Sequence, residues 1–151
     1  MKEFKTVDDI LDFAIMGEQE AVDFYTQLAN QSQNAAIKKV FLEYAEEEIR
    51  HKAKLAGIKE NSSFQMEVSH VRDLKIADYL VDVKPSSTMT YEEALIFAMK
   101  KEKKAFMLYM HLAGQAIDPQ MKQIFLSLAE EESKHKLSFE IEYDNYILRE
   151  N

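Results

Sequence analysis

Two stretches decide how this chain folds: Ala45-Glu46-Glu47-Glu48-Ile49-Arg50-His51-Lys52 and Ala129-Glu130-Glu131-Glu132-Ser133-Lys134-His135-Lys136. Each contains a Glu-x-x-His. Thirty residues before each stands another glutamate, Glu18 before Glu48 and Glu102 before Glu132, followed after seven residues by Tyr25 and Tyr109. The offset is 84 residues throughout (102 − 18, 132 − 48, 135 − 51). Aligned without a gap, residues 6–52 and 90–136 are identical at 19 of 47 positions, including the apolar pairs Leu11/Leu95, Phe13/Phe97, Ala14/Ala98 and Phe41/Phe125. A repeat that carries its apolar positions with it repeats a packing unit. The chain therefore reads as one helix hairpin present twice.

Working outward, the periodicity predicts four helices. Thr6 caps the first, with Asp8 and Asp9 at the positive end of its dipole. Leu11, Ala14, Glu18, Ala21, Tyr25 and Leu28 share one face, and the helix should fade near Asn30 to Asn34. The second is expected from about Ala35 to Leu55, with the stripe Ile37, Phe41, Tyr44, Glu48, His51, Leu55 and Gly57 as a left-handed stop. Thr90-Tyr91-Glu92-Glu93 is a capping box for the third, whose stripe is Leu95, Ala98, Glu102, Ala105, Tyr109, Leu112. Gly114 and Asp118-Pro119 end it and start the fourth, striped by Met121, Phe125, Leu128, Glu132, His135, Phe139 and Glu142. In every stripe a charged residue stands where an apolar one belongs.

The expected fold is all-α: a four-helix bundle of two duplicated hairpins, in a single domain over 1–151. The first repeat covers about 6–57, the crossover about 58–89, the second repeat about 90–142, and a helical tail 143–151. Within the crossover a short helix is expected from Val71 to Val83. So long a connection makes sense if the second and third helices run in the same direction, since the chain must then cross the bundle to restart.

Composition narrows the function. Three glycines and two prolines suit long helices, and the absence of cysteine removes disulfides, thiolate metal sites and thiol nucleophiles. The net charge, 19 − 27 = −8, comes without a basic block, which disfavours nucleic acid and anionic membrane as partners. No apolar run has the ~18 residues of a membrane span, and the first residues show no secretory signal. A cytoplasmic location is the expectation.

Glu18, Glu48, His51, Glu102, Glu132 and His135 form a donor set for two metal ions. A glutamate and a histidine three apart leave one side of a helix together, so each pair offers a nitrogen to one ion and a carboxylate that bridges to the other. Glu18 and Glu102 would be terminal ligands. Four carboxylates carry −4, which two divalent ions cancel; clustered without them, the charges would cost several kcal/mol each or force protonation. Oxygen and imidazole donors without sulfur suit iron or manganese, and zinc less well. Ala14, Ala21, Ala98 and Ala105 leave space one turn either side of the terminal glutamates. Tyr25 and Tyr109 are candidates to hydrogen-bond the carboxylates of a neighbouring helix.

Gly17-Glu18, Phe24-Tyr25, Leu28-Ala29 and Ala45 to Lys52 resemble the diiron domain of rubrerythrins, within the ferritin-like superfamily. The resemblance spans roughly 6–57 and 90–142. It implies a ferritin-like bundle with two iron ions held by Glu18, Glu48, His51, Glu102, Glu132 and His135. It also implies an oxidoreductase that takes hydrogen peroxide or dioxygen. Two departures bear on that chemistry. Rubrerythrins feed electrons through a cysteine-ligated iron, which a chain without cysteine cannot hold, so an external electron donor is expected. They also carry a glutamate where this chain has Ala105, and the remaining donor set is closer to bacterioferritin-type sites. A ferroxidase is the alternative, and a non-enzymatic metal-binding bundle a further one. Glu46, Glu47, Glu130 and Glu131 lie off the stripes and are expected on the solvated face, while His70 and His111 lack partners at ligand spacing. From the aromatic tail a homodimer or larger homo-oligomer is expected.

Overall fold

The computed structural model describes residues 3–81, 86 and 88–150. They form four long helices and one short one: α1 (Val7–Gln31), α2 (Ala35–Glu60), α3 (Val68–Asp73), α4 (Tyr91–Gln115) and α5 (Pro119–Glu150), with a 3₁₀ turn at Ile76–Tyr79. Among the described residues there is no strand.

The helix starts follow the local chemistry. Thr6 accepts from Asp9 N–H while the Asp9 carboxylate accepts from Thr6 N–H, and Thr90 and Glu93 repeat the arrangement 84 residues later. Asn34 caps α2 by accepting from Ala36 and Ile37, and Asp118 accepts from Gln120 N–H at the start of α5. The ends depart from expectation. Gly57 does not stop α2, which continues to Glu60. Ile58 is 6% exposed, so its burial carries the helix past the glycine. Ser62 (φ 50°) takes the left-handed position instead, with Ser63 N–H reaching Ile58 C=O (3.0 Å) and Ser62 N–H reaching Lys59 C=O (3.2 Å). Gly114 likewise lies inside α4 rather than beyond it. The short helix expected from Val71 to Val83 begins earlier, at Val68, and breaks after Asp73; residues 82 and 83 lie outside the described residues.

Two apolar clusters fill the bundle. One gathers the start of α1 (Ile10, Leu11), the end of α2 (Leu55, Ile58), the end of α4 (Leu108, Leu112) and the start of α5 (Met121, Phe125), with Phe64, Val71 and Ile76 from the crossover. The other gathers the end of α1 (Tyr25, Leu28), the start of α2 (Phe41, Ala45), the start of α4 (Leu95, Ala98) and Phe139 of α5. Hence α2 ends at one pole and α4 begins at the other. The two helices run in the same direction, and the crossover traverses the molecule. α1 packs on α2 and α4 on α5, while α1 and α4 touch only sparsely. Between the two clusters lies a polar centre.

Beyond residue 142, α5 continues as one helix to Glu150. It is fastened to the start of α4 by Tyr91 Oη–H to Glu142 (2.7 Å), Tyr143 Oη–H to Glu92 (3.2 Å) and an edge contact between the rings of Tyr91 and Tyr146.

Candidate metal centre

The charged residues in the apolar stripes turn inward. Glu18, Glu48, His51, Glu102, Glu132 and His135 are all at most 4% exposed, one from each of α1 and α4 and two from each of α2 and α5. They fall into two groups, Glu18–Glu48–His51–Glu132 and Glu48–Glu102–Glu132–His135, each with one donor atom per residue inside 4.8 Å. Glu48 and Glu132 belong to both. Glu48 Oε1 lies 3.3 Å from His51 Nδ1 and 3.3 Å from His135 Nδ1, and each Nδ1 lies 3.7 Å from the glutamate of the paired helix, Glu18 or Glu102. The imidazoles are nearly parallel, with centroids 6.5 Å apart.

Glu18 Oε2, Glu48 Oε1, His51 Nδ1, Glu102 Oε2, Glu132 Oε1 and His135 Nδ1 are buried without a hydrogen-bond partner. An unsatisfied buried polar atom costs ~1–3 kcal/mol, more when charged. Six of them, gathered in two groups that share Glu48 and Glu132, fit a pair of cations.

The remaining donor and acceptor atoms are committed, and the commitments cross between the hairpins. Tyr25 of α1 donates to Glu102 of α4, and Tyr109 of α4 donates to Glu18 of α1. His51 Nε2–H donates to Glu131 of α5, and His135 Nε2–H to Glu47 of α2. A carboxylate on Nε2 orients each ring and turns Nδ1 toward the centre. Glu47 and Glu131 are therefore not simply solvated, as their place off the stripe suggested. Their side chains are 40% and 49% exposed, yet each ends on a buried histidine. The sequence signal was their position, four residues before His51 and His135 and so on the same helical side. Nothing in the sequence showed that their partners lie on the opposite helix. Glu130 stays on the exposed face beside Lys134 (3.6 Å), and His111 is taken up by Tyr79.

Protonation follows from the crowding. Burial, then the charge of Glu132, raises the carboxyls of Glu18, Glu48 and Glu102 above their ordinary values. Glu132 holds the negative charge: burial opposes ionisation, but the neighbouring His51, Glu102 and Glu48 side chains outweigh it and bring the group down to about 2. Burial would lower both histidines, yet the surrounding carboxylates raise His51 and His135. Protons thus occupy the centre where cations would displace them. Burial and the charge of Glu18 raise the Tyr109 hydroxyl well above its usual range, so it remains a donor.

The alanines divide. Ala14, Ala21 and Ala105 line a cavity of about 710 Å³ between α1 and α4, floored by Glu18, Glu48, Glu102 and Glu132. Ala98 does not open space; it is fully buried in an apolar cluster. On the opposite side, between α2 and α5, a smaller cleft of about 310 Å³ is lined by Glu47, Arg50, His51, Lys54 and Glu131.

The rubrerythrin family profile matches residues 9–143, nearly the whole of this bundle and all of its donor residues. The chain belongs to the rubrerythrin family. Two solved structures share the fold. One is a candidate ferritin-like diiron-carboxylate protein of Thermotoga maritima, with TM-score 0.71, 24% identity, and 92% of this chain and 95% of that chain covered. The other is a hypothetical protein of Pyrococcus furiosus, with TM-score 0.73, 25% identity, and 92% and 89% covered. No curated protein matches the chain in sequence. The fold is thus ferritin-like, and a rubrerythrin-family bundle with a buried carboxylate–histidine cluster points to a diiron site. Among the described residues, no helix is long and apolar enough to cross a membrane.

Proposed function

We propose that this rubrerythrin-family protein is a non-haem diiron-carboxylate oxidoreductase that reduces hydrogen peroxide or dioxygen. The observation that carries the reading is the set of six buried, unpartnered donor atoms in two groups sharing Glu48 and Glu132. Glu18 and His51 would hold one iron, Glu102 and His135 the other, with Glu48 and Glu132 between them. Bound there in the reduced state, iron supplies the electrons for cleaving an O–O bond, as in H₂O₂ + 2 e⁻ + 2 H⁺ → 2 H₂O.

The chain's own residues do the rest. Burial leaves each donor at most 4% exposed. Tyr25 and Tyr109 hold the terminal carboxylates in place from the opposite hairpin, and Glu131 and Glu47 orient the histidines. With no cysteine in the chain, electrons come from an external donor. Ala105 favours a second reading, a ferroxidase: it lines the cavity and supplies no carboxylate there.

Anaerobic loading with ferrous iron, metal analysis and rapid mixing with each oxidant test the proposal. Two irons per chain, oxidised faster by peroxide than by oxygen, are expected. Faster oxidation by oxygen with accumulation of ferric iron would favour the ferroxidase. No uptake of iron would overturn both.

A further inference from the structure

The cavity between α1 and α4 is far larger than the proposed oxidants need. A water molecule's share of the liquid is about 30 Å³, and a two-oxygen molecule requires roughly twice that, against about 710 Å³ here. This volume lies in the range of cavities that hold organic ligands, about 300–1,000 Å³. The walls are apolar: Phe13, Phe24 and Leu108 from the two helices, with Leu80 and Val81 from the crossover. The crossover wall is anchored, since Lys104 Nζ donates to Asp78 C=O (3.0 Å) and Tyr79 Oη pairs with His111.

Charge selects among ligands. The charged residues around the walls are Glu20 and Asp23 on α1 and Lys101 and Lys104 on α4, two of each sign. Lys101 is already paired with Glu20 (3.2 Å) and Lys104 with the crossover backbone. The floor is carboxylate. An anion would find no uncommitted cation among these residues and would meet like charge at the floor, so a neutral molecule fits best.

We propose that this cavity is a binding site for a neutral, largely apolar organic molecule, seated between α1 and α4 with one end against the carboxylate floor. The site stands on its lining and not on the redox reading. Binding to metal-free protein tests it separately, and a failure here leaves the diiron proposal untouched.

Gly17 supplies the instrument. It lines the cavity, and a Cβ built on it meets nothing within 4 Å; the same openness holds at Gly114, which is not among the cavity's lining residues. The probe is the neutral dye N-phenyl-1-naphthylamine, titrated into the full chain with chelator present. Saturable binding of one dye per chain, displaced by 1-decanol, is expected. Gly17→Phe should weaken it at least tenfold and Gly17→Leu several-fold, while Gly114→Phe leaves it unchanged. Leucine in place of a mid-helix glycine favours the helix, and circular dichroism checks that each variant is folded. Absence of saturable binding would overturn the proposal. So would equal binding by folded Gly17→Leu and the parent, which would place the dye on exposed side chains such as Leu137 and Ile141.

Discussion

The two halves of the centre carry the same donors in different surroundings. His51 and His135 each point Nδ1 inward and give Nε2–H to a glutamate of the other hairpin. His135 is also stacked on Tyr44, with centroids 4.2 Å apart, whereas the position equivalent to Tyr44 in the second repeat (44 + 84) is Leu128, which lines the cleft beside His51. Glu48 and Glu132 are sequence equivalents too, yet the carboxyl of one is raised and that of the other lowered. Duplication preserved the donors and their hydrogen-bond partners and let the packing on the histidines diverge. The half-sites are therefore equal in donors and unequal in how firmly those donors are held.

Substitutions at the donors should break the comparison most. Glu48→Ala or Glu132→Ala removes a group common to both halves and is expected to abolish binding of two metals per chain. Glu18→Ala or Glu102→Ala removes a terminal donor from one half and should leave one tight site. Metal analysis after gel filtration reads both; two tightly held metals in Glu48→Ala would refute the bridging assignment.

A smaller effect sharpens the difference in support. Loss of a hydrogen-bond partner of a metal-bound histidine typically costs about 10–100-fold in affinity. Glu131→Gln should show the larger loss, because among the described residues no tyrosine ring packs on His51 as Tyr44 does on His135, and Glu47→Gln the smaller, because Tyr44 still holds His135. Competition with a chromophoric chelator measures both. The opposite order would mean that the stack contributes little.

The smallest expected effect is the dependence of stability on pH. Glu18, Glu48, Glu102, His51 and His135 are raised in the folded protein. Their contributions are fully present below their ordinary values, 4.5 for the glutamates and 6.5 for the histidines, and are lost as pH rises through the folded values. Glu132, lowered to about 2, works in the opposite sense, but only as pH falls from 4.5. Metal-free protein should therefore melt at a lower temperature at pH 8 than at pH 5.5, by about 2–4 °C for each kcal/mol lost. The increase in melting temperature on adding zinc should grow over the same interval, because the metal displaces protons. Thermal denaturation with and without chelator decides; a metal-free protein more stable at pH 8 would show that the cluster tolerates its own charge.

Much of this was legible in the chain. The stripes of α1 and α5 are buried at every position named, because a 3.6-residue period has one face to hide. Thr6, Asn34, Thr90 and Asp118 start helices because their side chains satisfy N–H groups within the next turn, a local matter. Helix ends were less legible. Gly57 is a stop signal by itself, and only the burial of Ile58 against the other helices overrules it.

The sequence by itself determined the helices, the duplication, and the presence of four glutamates and two histidines on apolar faces. Those follow from periodicity and spacing, which are properties of one helix at a time. Tertiary structure alone decided the pairings across the hairpins: Tyr25 with Glu102, Tyr109 with Glu18, His51 with Glu131 and His135 with Glu47. It alone opened the cavity between α1 and α4, since the space between two helices depends on how far their partners hold them apart. A residue's face can be read from its neighbours in the chain, but its partner is fixed only when another helix arrives opposite it.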